Sequence, residues 1–236
     1  MTEKRVILIT GTSRGIGSFL AKHYLATNNI VIGCSRTDDT SIKHSSYIHF
    51  KLDITDELAC KGLFRQIKKT AGRLDVLINN AGIASMNHVM LTPLRSAENI
   101  LRTNILGTFL FSREAAKLMK AQGGGNIINF STVAVPLKLK GEAIYAASKA
   151  AVVNLTQTMS KELADWGIRV NAVGPTPIST DLIKAVPKEK IEELISQQAL
   201  KRMGEFSDVV NVVDFFIDQR SNFITGQVIY LGGIHQ

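Results

Sequence analysis

Cysteine is nearly missing: Cys34 and Cys60 are the only two in 236 residues, and no motif surrounds either one. That scarcity excludes a disulfide framework and a cysteine-based metal site, and it fits a reducing compartment, the cytoplasm. No stretch approaches the ~18 consecutive apolar residues that a membrane-spanning helix needs. The opening MTEKRVILIT has too short an apolar run before Gly11 for a signal peptide, and it reads as a first strand. The five histidines, at 23, 44, 49, 88 and 235, lack metal-ligand spacing and read as ordinary surface or core residues. Aromatics make up only 6% of the chain, and no run of five basic residues occurs. The net charge of +8 therefore comes without the stacking platform or basic stripe of a nucleic-acid binder. A solvated surface accounts for it, with an acidic protein partner as the second reading.

The chain does contain short β-branched runs alternating with amphipathic stretches. Residues 6–10, 30–35, 47–53, 74–80, 126–131, 168–173 and 227–231 read as strands. Helices are expected after Gly17, between 55 and 72, over 96–122, over 143–166, and from an N-cap at Ser207 to 218. Such alternation predicts an α/β domain built on a parallel sheet covered on both faces. No linker or repeat divides residues 1–236, so one domain is expected. The proline-containing excursion over 175–203 interrupts the alternation and reads as a lid.

The first chemical signal is TGTSRGIG at 10–17, where the first strand meets the first helix. Glycines at 11, 15 and 17 allow a tight turn, close approach of backbone to a pyrophosphate, and close helix–sheet packing. Ser13, Arg14 and Ile16 belong to the same cradle. At the end of the second strand, where an acidic residue would bind a ribose 2′-hydroxyl, the chain has Cys34-Ser35-Arg36, with Asp38 and Asp39 beyond. Ser35, Arg36 and Arg14 together favour a 2′-phosphate, hence NADP(H) over NAD(H).

Tyr145 and Lys149 lie four apart on a predicted helix and share a face. A phenol titrates near ~10 unperturbed, and a neighbouring ammonium brings that value down. Taken alone, the spacing is common on helices and is more often a packing pair than a catalytic one.

With these residues, Asn79-Asn80-Ala81-Gly82, Asn104, the hydroxyls at 131–132, Asn171-Ala172-Val173-x-Pro175 and the terminal ITGQVIYLGG, the chain resembles the short-chain dehydrogenases/reductases over nearly its whole length. Within that family it is most similar to the 3-oxoacyl-carrier-protein reductase type. The resemblance implies a single-domain, Rossmann-like, doubly wound seven-stranded parallel sheet and NADPH-dependent reduction of a ketone, such as a 3-oxoacyl thioester. Asp53 and Ile54 would contact the adenine, and Asn80, Ala81 and Gly82 would lie along the riboses. Tyr145 would be the proton donor, while Lys149 would bind the nicotinamide ribose and lower the phenol's pKa. Asn104 would hold a water relaying protons to Lys149. Pro175, Ile178 and Thr180 would border the nicotinamide.

The family's working hydroxyl lies thirteen residues before the Tyr, which selects Thr132 over Ser131. Thr176 and Leu231 depart from the family's usual Gly and Asp, and Leu231 is expected to affect subunit packing. The lid and residues 133–143 would shape the substrate pocket. Lys138, Lys140, Lys184, Lys188, Lys190, Lys201 and Arg202 around its mouth could receive an acidic acyl carrier protein. The helices at 96–122 and 143–166 carry surplus apolar residues, so a homotetramer is expected, with a dimer next. A different class of function, a nucleotide-binding scaffold without catalysis, would keep the same fold; the intact Asn104, Tyr145 and Lys149 favour the enzyme.

Overall fold

Strand β1 (Val6–Thr10) is buried along its whole length, with Val6 and Leu8 on one side of the sheet and Ile7 and Ile9 on the other. A strand that is apolar on both faces belongs at the centre of a two-sided parallel sheet. A computed structural model describes residues 4–38, 41–180, 183 and 186–235 and bears this out. The remaining strands are β2 (Ile30–Ser35), β3 (Tyr47–Lys51), β4 (Val76–Asn79), β5 (Gly125–Phe130), β6 (Ile168–Gly174) and β7 (Val228–Tyr230). They form one seven-stranded sheet, all neighbours parallel, in the order β3-β2-β1-β4-β5-β6-β7. The order reverses between β1 and β4, so a crevice opens there at the carboxyl edge of the sheet.

The helices are α1 (Gly15–Ala26), α2 (Glu57–Thr70), α3 (Leu94–Leu101), α4 (Thr108–Gln122), α5 (Ala134–Leu137), α6 (Ala143–Glu162), α7 (Lys188–Gln197) and α8 (Phe206–Ile217). Side chains of α2, α4 and α6 pack on one face with Val6 and Leu8, and those of α1 and α8 on the other with Ile7 and Ile9. Asp214 of α8 ties that second layer to α1, accepting from Tyr24 Oη at 2.8 Å and meeting His23 Nε2 at 3.1 Å. Cys34 and Cys60 are free thiols buried in the first layer.

A buried polar ladder crosses from α4 to α6 through the sheet. Asn79 Nδ2 donates to Ser112 Oγ and to Asn129 Oδ1, and Asn129 Nδ2 donates to Thr156 Oγ1, each at 2.9 Å. Asn79 and Asn129 are register partners on β4 and β5, so the ladder holds the sheet just below the crevice. Asn171 does the same further out, accepting from the Gln227 N–H at 3.0 Å and donating to the Ile224 carbonyl at 3.1 Å, which fixes the approach to β7.

Several sequence boundaries move. β3 ends at Lys51, so Leu52 and Asp53 turn into the crevice instead of extending the strand. The helix expected over 96–122 starts at Leu94 and is interrupted by a π-helical turn over Arg102–Gly107. The helix expected to run to 166 ends at Glu162 and closes in a 3₁₀ turn over Ala164–Trp166. Helix α8 is capped by Glu205, not Ser207: the Asp208 carboxylate accepts the Glu205 N–H at 2.8 Å while Arg202 clamps Asp208 at 2.7 and 2.9 Å. The ion pair selects this start over the hydroxyl two residues later. Leu231 is half-buried and packs against its own chain's α8 layer.

Candidate active site

The turn after β1 is built on missing side chains. Gly11 and Gly15 hold φ of +76° and +58°, a region that disfavours any residue with a Cβ. A Cβ on Gly17 would lie 2.2 Å from the Gly11 carbonyl oxygen, so only glycine lets α1 begin this close to β1. The end of β4 locks the turn: Thr10 Oγ1 accepts the Ala81 N–H at 2.9 Å, and Asn80 Nδ2 donates to the Thr10 and Gly11 carbonyls at 2.9 and 3.3 Å. Above it the first turn of α1 presents unpaired N–H groups to the crevice, an arrangement suited to a phosphate.

A cavity of about 760 Å³ runs along this edge. It is lined by Gly11, Ser13, Arg14, Gly15, Ile16, Ser35, Arg36, Asp53, Ile54, Asn80, Ala81, Gly82, Thr132, Tyr145, Lys149, Pro175 and Thr180. Three residues expected at the site stand behind its wall. Gly17 packs beneath the turn, Asn104 supports the backbone of Ile83, and the Ile178 side chain is buried in the α8 layer. The wall also includes Leu52, Ile83, Ala84, Thr103 and Phe130, apolar or small residues with no motif to mark them.

At one end stand Ser35 and the two arginines, Arg14 and Arg36. Asp38 is drawn off to Lys51 at 2.9 Å, and that hydrogen bond holds its carboxyl below the usual range. Asp39 lies outside the described residues.

At the other end stand Thr132, Tyr145 and Lys149. The Lys149 ammonium is buried, donates to the Phe130 carbonyl at 2.8 Å, and is pushed down to about 8 by desolvation. Burial pushes the Tyr145 phenol up to about 12, the Glu142 carboxylate adds to that, and a hydrogen bond with the Thr132 side chain pulls it back. The depressed phenol expected from Lys149 is therefore not a property of these protein groups: desolvation outweighs them. Glu142, at the start of α6 and one turn before Tyr145, went unnoticed in the sequence; its three-residue spacing was the available signal. Ser131, also on the cavity wall, leaves its buried hydroxyl without a hydrogen-bond partner among the described residues.

Asn104 owes its position to the π-helical turn, which directs it fully inward. Its amide accepts the Ile83 N–H and donates to the Ile83 carbonyl and to Ser148 Oγ, all at 2.9 Å, and Ser148 Oγ donates to the Tyr145 carbonyl at 2.7 Å. Gly82 lets the parts meet: a Cβ there would lie 3.2 Å from Asn104 Oδ1 and 3.3 Å from Lys149 Nζ.

Over this end, a smaller recess of about 80 Å³ lies between the 139–142 segment and α7, with Leu139, Lys140, Glu142, Ile191 and Leu194 in its wall. Thr176 is buried and hydrogen-bonds Gln198, whose amide reaches the Arg202 carbonyl at 2.8 Å, so the departure from glycine ties this loop to the segment after α7. Three of the six described cations of the expected basic rim are paired, Lys188 with Glu192, Lys190 with Glu193 and Arg202 with Asp208, while Lys138 and Lys201 donate to the Val135 and Ser196 carbonyls and keep their charge. Lys184 lies outside the described residues. Among the described residues, no group of three acidic, histidine or cysteine side chains could hold a metal ion.

The family model of the short chain dehydrogenases matches residues 5–191. The 3-oxoacyl-[acyl-carrier-protein] reductase FabG of Staphylococcus aureus is 33% identical over 242 aligned residues, covering 99% of this chain and 98% of that one. Among solved structures, ElxO with NADP bound is 32% identical with a TM-score of 0.89, covering 98% of each chain. A short chain dehydrogenase of Leptospira borgpetersenii with bound NAD+ is 28% identical with a TM-score of 0.89, covering 98% of this chain and 92% of that one. With the family model matched over residues 5–191 and a relative 33% identical over nearly the whole chain, the chain belongs to the short-chain dehydrogenase family of oxidoreductases.

Proposed function

We propose that the chain is an NADPH-dependent carbonyl reductase acting on a ketone, with a 3-oxoacyl thioester as the leading substrate class. The observation that carries this is that Thr132, Tyr145 and Lys149 line the same cavity as the glycine turn, Arg14 and Arg36. The glycine cradle and the approach allowed by Gly82 fit a dinucleotide, and a bound nicotinamide would supply the hydride. The chain's own part is to orient and to move a proton. Thr132 donates a hydrogen bond to the carbonyl oxygen as negative charge develops there. Tyr145 delivers the proton to that oxygen, so a ketone, a hydride and a proton become an alcohol. Lys149, held at the Phe130 carbonyl, adds positive charge that offsets the desolvation of a forming phenolate. Asn104 fixes the loop and helix that carry these groups.

The name of the Staphylococcus aureus relative supports a 3-oxoacyl substrate on a carrier protein. With Lys188, Lys190 and Arg202 paired to carboxylates, Lys138, Lys140 and Lys201 are the rim charges that would meet such a carrier. For assembly, we propose a homotetramer, with a dimer as the smaller alternative. Met90, Leu91, Leu94, Leu106 and Phe109 stand exposed along α3, α4 and the turn before them, more apolar surface than a solvated helix needs. A second copy of this chain is the occupant. Light scattering at micromolar concentration is expected to give a multiple of 25.8 kDa, and a monomer mass would overturn the assembly.

Cofactor choice is tested by titration. NADPH is expected to bind about tenfold tighter than NADH or better. Arg36→Asp sets a carboxylate against the phosphate and should reverse or abolish that preference. Equal dissociation constants in the unaltered protein would sink the NADPH reading.

For the hydroxyl, Thr132→Val keeps the shape and deletes the donor, so turnover should fall by about a hundredfold or more. Thr132→Ser should remain active, and Ser131→Ala should cost much less. A silent Thr132→Val beside a damaging Ser131→Ala would transfer the role to Ser131.

The charge of Glu142 gives a pH test. Its carboxylate helps to hold the Tyr145 phenol up, and at alkaline pH it is ionised. Glu142→Gln removes a raising influence, so Tyr145 loses its proton at lower pH than before. The alkaline limb of the kcat/KM profile for ketone reduction should accordingly move to lower pH. An unmoved limb would mean that Glu142 does not act on the proton donor.

A further inference from the structure

Beneath the arginine end of the cavity, four polar side chains from three elements close on one another. Tyr47 and His49 come from β3, Ser35 from the end of β2, and Thr12 from the glycine turn. Tyr47 Oη lies 3.0 Å from Thr12 Oγ1 and 3.1 Å from His49 Nδ1. On its other edge, His49 Nε2 lies 3.2 Å from Ser35 Oγ and 3.1 Å from the Thr37 carbonyl. Ser35 Oγ already donates to that same carbonyl at 2.6 Å. The cluster needs a gap in β2. A Cβ on Gly33, the register partner of His49, would lie 2.3 Å from Tyr47 Oη and 2.5 Å from Thr12 Oγ1.

A serine hydroxyl has one proton. Ser35 can give it to Thr37 or to a phosphate in the cavity, but not to both. If it turned to the phosphate with nothing in its place, the Thr37 carbonyl would lose its donor, and a polar group stripped of its partner offsets much of what the new bond gains. His49 is the replacement. Tyr47 Oη donates to Thr12 Oγ1, whose own proton can then go to Nδ1 at 3.5 Å; with Nδ1 accepting, the imidazole proton lies on Nε2, aimed at the Thr37 carbonyl and close to Ser35 Oγ.

We propose that His49 is a specificity-determining positioning residue for the 2′-phosphate of NADPH: by taking over the Thr37 carbonyl, it releases the Ser35 hydroxyl to donate to that phosphate. The inference rests on the NADPH reading and deepens it. A ribose 2′-hydroxyl, itself able to donate to Ser35, requires no such exchange, so His49 bears on NADPH and barely on NADH.

The test compares dissociation constants of NADPH and NADH, measured by titration, across variants. His49→Leu should narrow the NADPH:NADH preference by about fivefold or more through weaker NADPH binding, with NADH within about twofold of the unaltered protein. His49→Gln, whose amide can donate to the same carbonyl, should recover most of the preference. Ser35→Ala should narrow it as well, and Ser35→Ala with His49→Leu should do no more than Ser35→Ala alone, because His49 acts through that hydroxyl. If His49→Leu does not fold, Tyr47→Phe carries the test. It deletes the hydroxyl that sets the imidazole's protonated edge and should narrow the preference in the same direction.

An unchanged preference in His49→Leu, or in Tyr47→Phe where that variant carries the test, would overturn the proposal. So would an equal loss of both cofactors, and so would additive effects in the double variant. A protein that never preferred NADPH would sink the NADPH reading and this inference together, whereas a preference indifferent to His49 sinks the inference alone.

Discussion

The joint between the ends of β1 and β4 is the constraint on which the site depends. Strand order reverses there, and two neighbouring strands whose connections leave in opposite directions would otherwise splay. The Thr10 hydroxyl on the Ala81 N–H and the Asn80 amide on the Thr10 and Gly11 carbonyls hold the crevice at fixed width. From that joint, the glycine turn is set on one side and the Ala81–Ile83 segment on the other. Ile83 in turn is gripped by Asn104, which reaches α6 through Ser148. A chain of hydrogen bonds thus connects the phosphate cradle to the helix that carries Tyr145 and Lys149.

The electrostatics at the far end of that chain oppose one another. Desolvation penalises both charged forms, raising the phenol to about 12 and lowering the ammonium to about 8. At neutral pH the phenol keeps its proton, and the ammonium, at about 8, is still mostly charged. A protein that buries an acid and a base side by side keeps the phenol protonated, which suits a proton donor, but it makes the phenolate left after donation expensive. Offsetting that cost requires positive charge close by, and within the chain Lys149 is the group positioned to supply it. Glu142 works against it. Its place one turn before Tyr145 is thus a sensitive one, where a neutral residue would ease the same proton transfer.

How much of this could be read in the sequence depended on whether the signal was local. β1 and β2 fall where the β-branched runs put them, to the residue, because parallel strands buried on both faces have an uninterrupted apolar signature. The glycine turn and the Tyr145–Lys149 spacing were legible because each is a short motif with its own geometry. Asn104 was legible as a motif residue, but the π-helical turn that aims it inward was not, since one inserted residue leaves no trace in helical periodicity. Ser207 misled for a related reason. A hydroxyl is a good N-cap, but Arg202 organises Asp208 and Glu205 into a better one two residues earlier. His49 looked like an ordinary strand histidine, because Thr12 and Ser35 are brought to it by the glycine turn and β2 from 37 and 14 residues away in sequence.

The family departure at 176 shows how a single side chain can redistribute such constraints. Glycine at that position would leave the loop after β6 free to adjust against whatever lies in the cavity. Thr176 instead is buried with its hydroxyl on Gln198, and its methyl fills the space above Gly204, where a Cβ would come within 2.7 Å. Gln198 also holds the Leu200 and Arg202 carbonyls, and the Ala199 and Leu200 N–H groups reach the Gly232 carbonyl. The loop after β6 is thereby joined to the segment after α7 and to the segment after β7. A β-branched residue restricted at χ1 makes that joint stiff.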